Sequence, residues 1–347
     1  MEHSPTVVDC EKWWSRSRAG QSLYSNETHR RLPIAPGRAH FEGVKLLLVD
    51  GHYYVYRSFF AIQSLSNSKG EPTNAIYGFV KTVRKMLKDL QPDRAAVLWD
   101  EGLPQRRTQL QPEYKTNRAE MPEKMRPQLG IIRDLVPLLG VASLGLPDTE
   151  ADDLMASYAV AARAMGHEVI LATNDKDLFQ LVDEKVSVYS TNKSDLANPK
   201  DPHALLGIEA VTTKWGVPPG RIGDVLALIG DTVDNIPGVA GLGPKTATRM
   251  ITEGGGLDAL LANPDLIASV KTREKFVGAR AQIEANREMV RLDLDLPLPQ
   301  PIDDLGVAPR YPELIAELKK CEFKGLLAEV EAEAGASRPA AQGELLF

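Results

Sequence analysis

Three short apolar runs, each ending at or just before an aspartate, predict an α/β fold on a doubly wound parallel sheet, together with the helical periodicity between them. Val44-Lys45-Leu46-Leu47-Leu48-Val49 has the length of a buried strand and stops at Asp50. Ala95-Ala96-Val97-Leu98-Trp99 is the second run and stops at Asp100; Glu168–Ala172 is the third, with Asp175 close behind. Within Ala75–Leu90, the residues Ile76, Phe79, Val80, Val83 and Leu87 recur at steps of three and four, which is one face of a helix. Strands alternating with helices imply crossover connections, and in such sheets ligands bind outside the carboxyl ends of the strands. Asp50, Asp100 and Asp175 are therefore expected at one edge of one sheet.

The 347 residues are enough for one large α/β domain or two modest ones. Residues 1–43 show no sustained periodicity and are expected to form a disordered extension. Residues 44–190 are expected to form the α/β core. A mainly helical region should follow over 191–330, through Ile222–Ile229, Pro244–Ile251 and Leu257–Leu261, with Leu294–Pro301 as a crossing segment. A flexible tail is expected over 331–347. No apolar run approaches the roughly 18 residues needed to span a bilayer. Cys10 and Cys321, the only cysteines, stand in no CxxC pair, which argues against a disulfide framework and a thiolate zinc site. A cytoplasmic, nucleoid-associated protein is expected. The formal net charge of −6 argues weakly against a nucleic-acid partner, but a sum hides its distribution.

The acids form clusters. Besides Asp50 and Asp100 there are Glu150-Ala151-Asp152-Asp153 at the start of a helix running to Ala164, Asp175-Lys176-Asp177, and Asp231 with Asp234. Taken singly, an aspartate after a strand caps a helix, and acids in a first helical turn suit the helix dipole. Gathered at one sheet edge they repel: two carboxylates about 4 Å apart cost about 4 kcal/mol at an effective dielectric near 20. A cation should offset this. With no His or Cys at ligand spacing, all-oxygen donors suit Mg²⁺ or Mn²⁺, and so many acids suit two ions, the arrangement that serves phosphodiester hydrolysis.

Several segments then carry a family pattern in one order: Leu48-Val49-Asp50-Gly51-His52, Tyr56-Arg57, Gly70-Glu71-Pro72-Thr73, Glu150 to Asp153, Thr173-Asn174-Asp175-Lys176-Asp177-Leu178, and Gly230-Asp231 through Asp234-Asn235-Ile236-Pro237-Gly238-Val239. From about Val44 to Val330 the chain resembles the 5′-nuclease domain of bacterial DNA polymerase I, within the flap endonuclease superfamily. That resemblance implies a PIN-like core with a helical arch and a helical region bearing a helix-hairpin-helix variant. It implies that Asp50, Asp100, Glu150, Asp152 and Asp153 hold a first metal ion, and that Asp175, Asp177, Asp231 and Asp234 form a second site. Arg57, Lys115 and Arg118 map onto the family's basic active-site residues, and Arg107 onto a further basic position. Asn74 stands where the family commonly has Gly, Asn174 where a small residue is usual, and Cys321 where an apolar residue is usual; none of these removes a charge.

The basic segment 101–127, with Arg106, Arg107, Lys115, Arg118, Lys124, Arg126 and Tyr114, resembles the family's arch over the 5′ strand. Lys115 and Arg118 are expected one helical turn apart, facing one phosphate, while Tyr56 and Tyr114 would stack on bases. Pro244 interrupts what would otherwise be a P-loop after Gly243. By resemblance, Gly238, Gly241, Gly243, Lys245 and Thr246 instead form a hairpin gripping duplex backbone, with a monovalent cation such as K⁺. Phosphate contacts carry no base information, so binding should select DNA structure: 5′ ends, flaps, junctions and RNA–DNA primers. A non-catalytic junction binder would lack some acids, and a PIN-like RNase would lack the arch and the hairpin. Gln342-Gly343-Glu344-Leu345-Leu346-Phe347 resembles the short peptides that dock on the bacterial sliding clamp, and the tail suggests a standalone protein.

Overall fold

Residues alternate sides along each buried strand, so a strand apolar at every position must be covered on both faces. In the computed structural model, which describes residues 43–336, this is the arrangement found. The expected extension over 1–43, but for its last residue, and the peptide Gln342–Phe347 lie outside the described residues.

The first half runs β1 (Lys45–Asp50), α1 (Gly51–Ala61), α2 (Asn74–Leu90), β2 (Arg94–Trp99), α3 (Gln105–Leu110), α4 (Arg126–Leu135), β3 (Ala142–Gly145), α5 (Ala151–Ala164), β4 (Glu168–Ala172), β5 (Val186–Ser190) and β6 (Ala204–Leu206). The second half is helical: α6 (Ile208–Trp215), α7 (Ile222–Ile229), α8 (Pro244–Gly254), α9 (Leu257–Ala262), α10 (Val270–Gly278), α11 (Arg280–Val290), α12 (Tyr311–Lys320) and α13 (Lys324–Ala336).

The six strands lie in the order β3-β2-β1-β4-β5-β6, all parallel except β6, which runs antiparallel to β5. From β1 the chain builds outward through β2 and β3, then returns to place β4 on the other side of β1. The β1/β4 junction is thus the topological switch point, where open α/β sheets form their crevice. Leu46, Leu48, Ala96, Leu98, Val169 and Leu171 pack one face against α5 and the helical region. Leu47, Val49, Ala95, Val97, Trp99, Ile170 and Ala172 pack the other against α1, α2, α4, α12 and α13.

The architecture is the α/β sheet with an appended helical region that the sequence predicts, with differences at its margins. The sheet runs past 190 to Leu206, because β5 and β6 pair antiparallel. The expected helical region is not a separate unit to its end: Leu314, Leu318, Phe323, Leu326 and Val330 return to the core beneath β1 and β2. Helix α13 continues to Ala336, beyond the expected boundary at 330. Residues Leu294–Pro301 do cross the core without regular structure, held where Tyr158 Oη donates to Gln300 O (2.7 Å). Asn74 needs no left-handed backbone; it is buried in the first turn of α2, and its amide donates to Phe59 O and Ile62 O at 2.8 Å, clamping the end of α1.

Candidate metal centre and nucleic-acid interface

Asp50 closes β1 and caps α1, its Oδ1 accepting from Tyr53 N–H at 3.0 Å. Its other oxygen accepts from Thr173 Oγ1 at 3.0 Å, so the loop after β4 is tied to the end of β1 at the switch point. Thr173 Oγ1 also accepts from Asp175 N–H (3.0 Å), and Asp175 Oδ1 from Asp177 N–H (2.8 Å). Asp100, just past β2, accepts from Ala151 N–H at 2.8 Å, which fixes the start of α5 against it. Glu150 precedes α5, and Asp152 and Asp153 occupy its first turn, where the helix dipole favours negative charge. Glu150, Asp152 and Asp153 offer oxygens within 4.8 Å of one another. Asp231 and Ile236 exchange backbone hydrogen bonds of 2.8 and 2.7 Å, a tight loop that carries Asp234.

Five of these nine acids have a positively charged or imidazole partner. Arg107 pairs with Glu150 (2.5 Å) and Asp153 (2.5 Å), Lys115 with Glu150 and Asp234 (3.7 Å), and Arg118 with Asp234 (2.5 Å). Lys176 pairs with Asp231 (2.6 Å), and His52 Nδ1 stands 3.1 Å from Asp100. Among the described residues, Asp50, Asp152, Asp175 and Asp177 have no ion-pair partner. Burial raises all four carboxyl groups, and neighbouring carboxylates raise them further: Asp50, beside Asp100 and Asp175, is pushed up to about 7. Asp152 and Asp177 lie well above the usual range, and Asp175 is raised. Asp153 is also raised by burial, against the pull of Arg107. Asp100 goes the other way: burial opposes ionisation, but His52, the Ala151 N–H and Lys115 together hold it at about 2. Asp177 Oδ1 is buried with no hydrogen-bond partner among the described residues. Buried carboxylates that lack both protons and cations are unfavourable, and this all-oxygen set fits a hard divalent ion such as Mg²⁺ or Mn²⁺.

The basic segment departs from its expected form. In place of a helical arch, residues after α3 make turns that close on the loop around Asp234. Lys115 N–H donates to Asp234 O (3.1 Å), Asn117 to Thr232 O (2.8 Å), Gln111 to Asn235 O (2.6 Å) and Asn235 to Glu113 O (2.7 Å). Lys115 is left-handed (φ 59°), so it and Arg118 are not one helical turn apart; a turn closed by Arg118 N–H on Lys115 O (3.2 Å) still brings both charges to Asp234.

Two residues expected to touch DNA are buried instead. Arg107 is 1% exposed and spent on carboxylates. Tyr114 is buried with its hydroxyl 3.1 Å from Glu150, which leaves no face for a base. Tyr56 is half-buried against the second core and tilts on Phe60, while exposed Arg57 donates to Tyr53 Oη and Thr191 Oγ1 at 2.8 Å. Thr173, His52 and Lys176 went unassigned in the sequence. Lys176 lies between two acids two residues apart, the one signal that could have marked it.

The glycine segment forms the hairpin between α7 and α8. A Cβ on Gly230 (φ +69°) would lie 2.4 Å from both Gly238 N and Ile236 O, and one on Gly238 would lie 2.1 Å from Ile229 O. Glycine at these two positions lets the two arms of the loop cross in contact. Gln282 and Asn286 of α11 both donate to Pro237 O at 2.8 Å and hold the hairpin from behind. Gly241 is left-handed (φ +75°), Gly243 caps α8, and Lys245 is exposed in its first turn with Thr246 beside it.

Comparison with known proteins follows this division. Residues 45–216 match the 5′-3′ exonuclease N-terminal resolvase-like domain, and residues 217–313 match the 5′-3′ exonuclease C-terminal SAM fold. A 5′-3′ exonuclease of Aquifex aeolicus is 36% identical over 288 residues, covering 82% of this chain and 95% of that protein. The thermostable DNA polymerase I of Thermus thermophilus is 39% identical over 285 residues, covering 82% of this chain and 33% of the polymerase. The chain thus spans about a third of the length of the curated polymerase relatives it matches. Among solved structures, T5 D15 protein co-crystallised with metal ions superposes with a TM-score of 0.59 at 22% identity, over 83% of this chain and 97% of that one. The catalytic core of Rad2 in complex with DNA substrate gives 0.55 at 15% identity, over 83% and 91%; both likenesses concern the fold.

Sheet, acid cluster and sequence matches together define a nuclease, a hydrolase of phosphodiester bonds. The chain belongs to the 5′-3′ exonuclease family. Among its described residues no helix is long and apolar enough to cross a membrane.

Proposed function

We propose that the protein is a structure-selective 5′-3′ exonuclease and flap endonuclease that needs two divalent ions. Substrates are DNA 5′ ends, flaps and junctions, including RNA–DNA primers met in replication and repair. The observation that carries this reading is the group Asp50, Asp152, Asp175 and Asp177, acids at the switch point that have no ion-pair partner among the described residues. Ions held there and by Asp100, Glu150, Asp231 and Asp234 would lower the pKa of water and offset charge at the phosphate. Lys115 and Arg118 now neutralise Glu150 and Asp234, and can exchange these carboxylates for a substrate phosphate once ions take over that task. Arg57, exposed at the rim, offers a further guanidinium to the strand. The hairpin supports duplex binding through Lys245, exposed in the first turn of α8, a contact to phosphate blind to sequence. Products would carry 5′-phosphate and 3′-hydroxyl ends.

Cleavage of a 5′-labelled flap tests this. Cuts should cluster at the junction, require Mg²⁺ or Mn²⁺, and stay put when the sequence is changed. Undiminished cutting in EDTA, or cuts that follow sequence, would overturn the reading.

A further inference from the structure

We propose that Arg107 and Asp153 are a positioning pair that fixes the acid cluster against α11, the helix that supports the hairpin; the inference rests on the nuclease reading above. Proximity alone would make Asp153 a metal ligand, since it shares a 4.8 Å cluster with Glu150 and Asp152. Its hydrogen bonds say otherwise. Asp153 is 0% exposed; Oδ2 accepts from Arg107 Nη1 (2.5 Å), and Oδ1 from both Arg107 Nη2 (2.8 Å) and Asp293 N–H (2.9 Å). A divalent ion on this carboxylate would sit directly against a guanidinium.

Arg107 is equally committed. Its five N–H donors meet five acceptors: Nε donates to Met289 O (3.0 Å), Nη1 to Glu150 Oε2 (2.5 Å) and Asp153, and Nη2 to Asp153 and Arg291 O (3.0 Å). No donor remains for a phosphate. Met289 and Arg291 end α11, and Arg106 beside it adds bonds to Glu288 O and Arg291 O (2.8 Å) and an ion pair with Asp293 (3.1 Å). The same helix holds Pro237 of the hairpin through Gln282 and Asn286. Arg107 thereby locks one oxygen of Glu150 to the helix that supports the hairpin, leaving the other turned toward Lys115.

The test compares Asp152→Asn, Asp153→Asn and Arg107→Lys. Melted in EDTA, Asp152→Asn should be at least as stable as wild type, because it removes an uncompensated carboxylate. Asp153→Asn and Arg107→Lys should both melt lower. Well below those melting temperatures, Arg107→Lys should slow single-turnover cleavage of saturating flap by about 10- to 100-fold, as loss of a group that orients metal ligands does. The Kd for uncut flap in EDTA and its salt slope should stay at wild-type values. A slope smaller by about 0.9 would mean that Arg107 touches a phosphate and would overturn the proposal. So would an Asp153→Asn protein that gains stability in EDTA as Asp152→Asn does. If wild type cut no flap, the nuclease reading would fail, while melting order and salt slope would still decide on the pair.

Discussion

Asp177 donates its backbone N–H to Asp175 Oδ1 at 2.8 Å, yet its own Oδ1 is buried without a hydrogen-bond partner among the described residues. The two acids are thus held side by side by the chain itself, in a place where, among the described residues, neither has an ion-pair partner. Asp177→Asn should therefore stabilise the metal-free protein, since an amide needs no counterion there, and weaken divalent-ion binding. Melting in EDTA and calorimetric Mn²⁺ titration check both halves. A variant less stable in EDTA with unchanged Mn²⁺ affinity would contradict it.

Stability without metal should fall as pH rises. Asp50 is raised from 3.8 to about 7, by burial first and then by Asp100 and Asp175. Between those values the folded state binds more protons than the unfolded one, so folding loses stability as pH climbs through that window. Asp175 and Asp177, raised for the same reason, add to the slope. Asp100, depressed to about 2, acts oppositely, but its contribution is lost only in strong acid. Denaturant midpoints in EDTA should drop from pH 5 to pH 8, and saturating Mg²⁺ should flatten the drop. Rising midpoints in EDTA would refute the assignment.

Lys115→Ala and Arg118→Ala should slow the chemical step more than they weaken duplex binding, because both charges converge on Asp234 among the clustered acids. Single-turnover rates at saturating flap, set beside Kd, separate the two effects. Wild-type rates would remove these residues from the site.

Lys245→Ala should do the reverse. Exposed at the start of α8, Lys245 carries no assignment in the cleft. Binding should weaken across all sequences, with a salt slope smaller by about 0.9, the share of one phosphate. An unchanged slope would discard the contact.

Much of this was legible in the sequence because buried parallel strands leave a strong mark. Leu46 to Val49 and Ala95 to Trp99 are apolar throughout, since α-helical layers cover both faces. Strand β3, four residues at the sheet edge and only half-buried, leaves no such mark and was missed. Helices α12 and α13 begin within the region expected to be helical, but their return to the core was not legible, because helical character does not report what buries a face. Asp50, Asp100 and Asp175 were legible because strand ends fix their place. The counterions of the acids were not: Arg107 and Arg118 look alike in a basic segment, and only tertiary geometry makes one 1% exposed and leaves the other at the rim.

The central claim is that carboxylates at the switch point hold ions for phosphodiester cleavage, and Asp152→Ala tests it most directly. Asp152 stands in the first turn of α5, between Glu150 and Asp153, with no ion-pair partner among the described residues. In Mg²⁺, single-turnover cleavage of a 5′ flap should fall at least about a thousandfold, on the order of 4 kcal/mol of barrier. Junction binding, measured in parallel, should persist, because the hairpin is untouched. Wild-type cleavage by Asp152→Ala in Mg²⁺ would contradict the account.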